Sequence, residues 1–198
     1  EKFMPKNQAS DDCALIKTKN ENLIINNDSL VENVHFDDIS ICPQDLGWKA
    51  VVSNISDLLS SGSKKTIGIT ISLILPAKTE WFWVEELYKG IDKALKKYGG
   101  IILGGDCSKG NQKTISITAL GIQGQLKLQR NACNPGEIIL TTGIHGLSKL
   151  GFMILNKNNF DNDIPLNKRL IKKSIEHFSR PKILSLIHIS EPTRRDQI

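Results

Sequence analysis

The chain has 198 residues, a 39% hydrophobic fraction and a net charge of +5, which suits one domain or a domain and a half and excludes disorder throughout. No apolar run approaches the roughly 20 residues of a membrane-spanning helix. Residues 1–150 hold 17 Lys/Arg and 16 Asp/Glu, against 9 and 5 in residues 151–198, so the basicity sits in the last quarter. With no interleaved aromatics and no nucleic-acid motif there, it reads as a solvated face.

The start, Glu1-Lys2-Phe3-Met4, has no initiator Met and no signal-peptide pattern, and predicts a chain that begins partway into a longer protein. Residues 1–10 are polar and read as loose. Cys13 to Ile16 predicts a short strand with Leu23 to Asn27 as its hairpin partner. Asn26-Asn27-Asp28 follows where that strand should end, either as a turn or as a carboxylate held at a strand terminus. Pro43-Gln44-Asp45 opens a helix, with Asp45 as candidate N-cap. Trp48, Val51, Val52, Ile55, Leu58 and Leu59 recur at helical spacing as its buried stripe. Asn54 and Asp57, three apart, share one face of that helix. Gly62 is a plausible C′ residue.

Ile67 to Leu75 predicts a strand, stopped by Pro76. Trp81 to Tyr98 predicts an amphipathic helix with Val84, Leu87, Tyr88, Ile91, Leu95 and Tyr98 on one side, and with Trp81 and Trp83 as packing residues. Ile101-Ile102-Leu103 is a short strand running into Gly104-Gly105-Asp106, where glycine permits a turn or the close approach of a ligand. Thr114 to Gly121 alternates as a strand. Pro135-Gly136 marks a turn, Ile138 to Thr142 a strand, Ser148 the neighbourhood of a helix, and Asn167 to Phe178 a last helix, ended before Arg180-Pro181. Mixed strands and helices with hairpin neighbours make the class α+β. The four cysteines, Cys13, Cys42, Cys107 and Cys133, form no C-x-x-C pair and read as reduced thiols of a cytoplasmic protein.

Several words then recur in a definite order. They are Asp11-Asp12-Cys13-Ala14, Asp28-Ser29-Leu30-Val31 with His35-Phe36, Leu46-Gly47-Trp48-Lys49-Ala50, Asn54-Ile55-Ser56-Asp57 and Gly104-Gly105-Asp106. Arg130-Asn131-Ala132 with Pro135-Gly136, and Thr142-Gly143 with Gly146, complete the set. From about residue 9 to about residue 182 it resembles the thiamine-monophosphate kinases, of the aminoimidazole ribonucleotide synthetase superfamily. Each word alone is weak; the ordered set is specific. Two departures stand out. Gln8-Ala9-Ser10 replaces the family's Gly-rich turn, and Asn26 and Asn27 stand where Ser or Thr is usual.

The resemblance implies an ATP- and Mg²⁺-binding N-terminal domain over residues 1–134, a four-stranded sheet with helices on one face. It implies the start of an incomplete second α+β domain over 135–182, and residues 183–198 match nothing in the family. Two such sheets would close into a barrel across a homodimer, with the ATP sites near that interface. By position, Asp12, Asp28, Asp57 and Asp106 match magnesium ligands, joined by Asn26 and Asn27. Tyr88, Gly105, Asp106 and Arg130 match nucleotide contacts, and His35 a thiamine-phosphate contact. The implied reaction moves the ATP γ-phosphoryl directly to thiamine monophosphate. The family's later Ser-Asp-Gly motif is absent, which predicts a poor catalyst.

Residue chemistry is compatible with this. The G-x-x-x-x-G-K-S/T cradle and the protein-kinase signatures are both missing. An ATP-user without them can hold a triphosphate through Mg²⁺ and a few carboxylates. The acceptor phosphate is already ionised near pH 7, so no strong base is needed and catalysis reduces to positioning and charge neutralisation. A sibling ATP-dependent synthetase, a non-catalytic nucleotide-binding or dimerisation fragment and a metal-dependent phosphohydrolase are the rival readings. The partners expected are thiamine monophosphate, ATP and a second copy, without nucleic acid or membrane.

Overall fold

The computed structural model describes residues 2–3, 11–126, 128–129, 134–138, 141, 143–156 and 166–183. Five strands and two helices fill residues 14–123: β1 (Ala14–Ile16), β2 (Leu23–Val31), α1 (Pro43–Ser60), β3 (Ser63–Leu75), α2 (Trp81–Tyr98), β4 (Ile101–Lys109) and β5 (Thr114–Gln123). They form one sheet in the order β1-β2-β5-β3-β4. Only β3 and β4 run parallel, joined by the α2 crossover that a parallel pair needs. The four-stranded expectation is corrected to five, because the short β1 pairs along β2 from Ala14 opposite Ile25 to Ile16 opposite Leu23.

Alternation divides the sheet into two faces. Ile115, Ile117 and Ala119 of β5 and Ile69, Ile71 and Leu73 of β3 are buried under the helices. Ser116, Thr118 and Ser72 belong to the other, open face. On α1 the whole expected stripe, Trp48 to Leu59, is buried. Gly62, at φ +88°, ends α1 as the sequence implies, its N–H donating to Leu59 O at 3.0 Å. The N-cap is Cys42 rather than Asp45, and it offers no side-chain hydrogen bond. Pro43 explains the shift: it has no N–H to satisfy and its fixed φ suits the first helical position. Asp45 instead sits in the first turn, 3.1 Å from Arg180 Nε.

The helices α1 and α2 cross at two glycines. A Cβ on Gly90 would lie 1.8 Å from Gln44 O, and one on Gly47 would lie 2.1 Å from Leu87 O. Trp83 packs against the core and donates its Nε1–H to Asp38 at 3.2 Å. Trp81 does not pack; it is 76% exposed on the outer face of α2.

β4 outruns the short strand expected there. Gly104 and Gly105 lie inside it rather than in a turn, and the register slips one residue at Leu103. Gly104, at φ +154°, takes up that bulge. A Cβ on Gly105 would meet Ile71 O at 1.9 Å, so close strand contact requires this glycine.

Two further helices, α3 (Leu147–Leu155) and α4 (Lys168–Ser179), pack against each other with Gly151 at the crossing. Asn167 caps α4 by accepting from Leu170 N–H at 2.8 Å. The segment after α4 lies against α1: Trp48 Nε1–H donates to Pro181 O at 2.8 Å, and Ile183 is buried. The expected strand Ile138 to Thr142 falls mostly outside the described residues, as do residues 184–198. Among the described residues no helix is long and apolar enough to cross a membrane.

Candidate functional site

The site is built where β2 lies along α1. Asn54 fixes it, a buried amide in an otherwise apolar stripe. Its Nδ2 donates to Ala50 O at 2.9 Å, one turn back, so its Oδ1 must face β2. That oxygen accepts from Asp28 N–H at 3.2 Å and from Asn26 Nδ2 at 3.3 Å. Asn26 Nδ2 also donates to Asp57 Oδ2 at 3.2 Å. The amide orientation of Asn26 is thereby set, since both neighbours are acceptors. Its own Oδ1 is left buried without a hydrogen-bond partner, in a residue only 5% exposed. An orphaned carbonyl oxygen of this kind calls for a ligand that accepts its lone pairs.

Asn26 is one wall of a cavity of about 330 Å³ shared with Asp11, Asp12, Cys13, Asn27 and Thr118. Burial pushes the Cys13 thiol up to about 11; a hydrogen bond with Ser61 works against this, and the nearby charges of Asp57, Asp11 and Asp12 add to the rise. At pH 8, iodoacetamide is expected to label the exposed Cys42 and Cys107 at least about tenfold faster than Cys13. Equal rates in a peptide-mapping time course would show the thiol to be open and ordinary.

Asp28 belongs to this network through its backbone, with its side chain exposed on the helix-covered side of β2, opposite Ile117. Asp106 does not belong to it. The pairings Ser29–Ser116, Ser116–Ser72 and Ser72–Asp106 place Asp106 on the open face. It lies three strands from β2, about 14 Å at the usual strand spacing. Its carboxylate accepts from Ser108 Oγ at 2.9 Å. The four aspartates therefore do not converge on one ion within a single chain. Among the described residues, no three His, Cys, Asp or Glu side chains gather as a metal cluster. Asn27 also points away from Asn26, as strand alternation requires, and its Nδ2 donates to Thr118 Oγ1 at 2.8 Å and Ile117 O at 3.1 Å.

The remaining candidates are dispersed. Tyr88 lies on α2 at the rim of a groove with Trp81, and burial and then the charge of Cys107 raise its hydroxyl pKa. Gly105 lies in β4 beside Asp106. His35 follows β2, its Nδ1 accepting from Val31 N–H at 3.1 Å. Arg130 falls outside the described residues. Asn54, which organises the cluster, was not among the sequence-derived site residues. Its signal was a buried-stripe position, three before Asp57, occupied by an amide.

Known proteins resemble this chain in sequence and fold. The thiamine-monophosphate kinase of Prochlorococcus marinus is 47% identical over 181 residues, covering 91% of this chain and 54% of that protein. A structure of AaThiL complexed with AMPPCP and TMP superposes with a TM-score of 0.81 at 27% identity, covering 94% of this chain and 58% of that one. The crystal structure of thiamine monophosphate kinase from Aquifex aeolicus gives a TM-score of 0.78 at 27% identity, with 91% and 59% covered. The chain thus spans about half the length of the curated relatives it matches. Residues 10–123 match the family described as AIR synthase related protein, N-terminal domain, so the chain belongs to that family.

Proposed function

We propose that this chain carries the nucleotide- and magnesium-binding part of a kinase that moves the ATP γ-phosphoryl group to thiamine monophosphate, giving thiamine diphosphate and ADP. The observation that carries this reading is the orphaned Oδ1 of Asn26, a residue that also lines a cavity with Asp11 and Asp12. Carboxylate and amide oxygens are the donor set a hard divalent cation takes. Asp12, Asp57 and the Asn26 carbonyl would hold Mg²⁺, with Asp28 beside them. The bound metal would neutralise phosphate oxygens. Asn54 does the positioning: it holds the Asp28 backbone and aims Asn26, which in turn holds one Asp57 oxygen. No side chain need act as a strong base toward an ionised phosphate.

Asp106, Gly105 and Tyr88, with Arg130, are proposed to contact the nucleotide, and His35 the acceptor. The chain is further proposed to act as a homodimer through the open sheet face. Thr118, Leu120 and Ile122 are only half covered there in one copy. Pairing two open faces would also bring the Asp106 of one copy to the sheet of the other. The similarity of this chain to AaThiL complexed with AMPPCP and TMP supports the substrate pair.

Calorimetric titration with ATP is expected to give strong heats in Mg²⁺ and weak ones in EDTA. Asp57→Asn should weaken the Mg²⁺-dependent binding about 10-fold or more, while a Glu176→Gln control on α4 should not. Equal heats in Mg²⁺ and EDTA would overturn the metal-bridged reading.

A further inference from the structure

β2 ends at Val31, and the residues after it fold into a tight turn in which Asn33 takes φ +63°. Within the turn, His35 N–H and Val34 N–H donate to Val31 O at 2.9 and 3.2 Å, and Asn33 N–H donates to Phe36 O at 2.7 Å. Val31 N–H donates to His35 Nδ1 at 3.1 Å. An imidazole whose Nδ1 accepts keeps its ring proton on Nε2, so the turn presents His35 as a donor. Lys113, the residue before β5, grips this turn at both ends. Its N–H donates to Glu32 Oε2 and its Nζ to Glu32 Oε1, each at 2.9 Å, and its O accepts from Glu32 N–H at 2.9 Å. The same Nζ also pairs with Asp38 Oδ2. Trp83 of α2 donates its Nε1–H to the other Asp38 oxygen at 3.2 Å, with its ring centre 5.2 Å from Lys113 Nζ.

Lys113 is only 8% exposed. A buried charge cluster adds little net stability, because desolvation offsets the attraction; its best-attested use is to select one arrangement among several. The surroundings of this turn call for such a selection. Glu32, Asn33, Asp38 and Lys113 line a cavity of about 510 Å³, so that side of the turn faces open space rather than packed side chains. Among the described residues, every hydrogen bond from residues 32–38 to an element other than β2 involves Lys113 or Trp83. All four oxygens of Glu32 and Asp38 already accept from these two residues, which leaves the carboxylates engaged as a clamp.

We propose that Lys113 is a positioning residue for the acceptor side of the site: by drawing Glu32 and Asp38 together it holds the turn in the one shape that presents His35 Nε2–H. The inference deepens the acceptor contact proposed for His35 and rests on it. Without the ammonium, Glu32 and Asp38 repel each other across the mouth of the turn. Val31 N–H then exchanges its imidazole partner for water, and the ring is free to carry its proton on either nitrogen.

The test reads the imidazole directly, by long-range ¹H–¹⁵N NMR of the ¹⁵N-labelled chain near pH 8, with His35 assigned by its loss in His35→Gln. The parent is expected to show the Nε2–H tautomer alone. Lys113→Met should turn it into an exchanging mixture of both tautomers while the side-chain amide signals of Asn26 and Asn54 stay in place, and Lys113→Arg should restore the parent pattern. Asp38→Asn, which keeps the side-chain shape and the Glu32 pair, should give the same change in smaller degree, and it decides the matter if Lys113→Met does not fold. Thiamine monophosphate, titrated calorimetrically in EDTA without nucleotide, should bind Lys113→Met about tenfold more weakly than the parent. A His35 pattern unchanged in these variants, or one that moves only together with the Asn26 and Asn54 amides, would overturn the proposal. Unchanged affinity in Lys113→Met beside a loss in His35→Gln would overturn it too. Equal affinity in His35→Gln and the parent would remove the acceptor contact on which the proposal rests, and the tautomer change in Lys113→Met tells that failure apart from a failed clamp.

Discussion

Gly90→Ala lowers the unfolding free energy by about 2 kcal/mol, although alanine in a helix interior should raise it by about 1 kcal/mol. Packing decides the sign. The new Cβ would sit 1.8 Å from Gln44 O, 2.7 Å from Gln44 C and 3.0 Å from Trp48 N. All three are backbone atoms of α1, so no side chain can rotate away, and the two helices must move apart. Behind the crossing lie Leu46, Val51, Leu87 and Ile91, each no more than 1% exposed. Separating the helices opens that layer, and the lost contacts add to the strain. Gly47→Ala acts from the other side, with its Cβ 2.1 Å from Leu87 O, and should cost a similar amount. The double variant should cost less than the sum, since the first separation relieves the second clash. Urea unfolding of the three variants measures this. A rise in stability for Gly90→Ala would show that helix propensity outweighs the crossing.

The same glycines show which parts of the fold were legible in the sequence. The stripes on α1 and α2 and the alternation on β5 were readable because periods of 3.6 and 2 report one local geometry each. Gly47 and Gly90 carry no such signal, because their requirement comes from a helix 43 residues away in sequence. Gly104 and Gly105 misled for a related reason. Local chemistry favours a turn at paired glycines, but contact with Ile71 made them the middle of β4. The N-cap at Cys42 was obscured by Asp45, a better capping residue placed where the helix had already begun.

The candidate site divides in the same way. Asn26 and Asp57 come together because β2 and α1 are near neighbours in the chain and meet directly. Asp106 reaches its strand only after the α2 crossover, and nothing local says which face it takes. Strand period alone, however, puts the side chains of Asn26 and Asn27 on opposite faces, so that part of the proposed ligand pair was testable from the sequence. Asn54 was visible as a polar break in an apolar stripe, but its role depends on the Ala50 carbonyl fixing its amide.

Lys49→Met raises stability near pH 7 by about 1–2 kcal/mol and removes a pH dependence that the parent chain shows above pH 8. The Lys49 amine lies near 8 in the folded protein and near its ordinary 10.5 when exposed. Between these values the unfolded chain binds a proton that the folded chain does not, so parent stability rises with pH across that window. Below pH 8 both states are protonated, and the folded state carries the full cost of a desolvated ammonium. A shift of this size converts to at most about 3.4 kcal/mol at 1.36 kcal/mol per unit, and solvent reaching the side chain reduces it. Lys49 Nζ lies 3.7 Å from the centre of the Phe178 ring, and methionine keeps the length and that contact but has no charge to desolvate. His35 and Lys149, the other titratable groups lining the open cavity of about 280 Å³ beside Lys49, are present in both proteins, so the difference between the two stability curves isolates Lys49. Urea unfolding at pH 7, 8, 9 and 10 should show the gap closing as pH rises. Parallel curves across pH would mean that Lys49 is solvated and that its position over Phe178 carries no energetic cost.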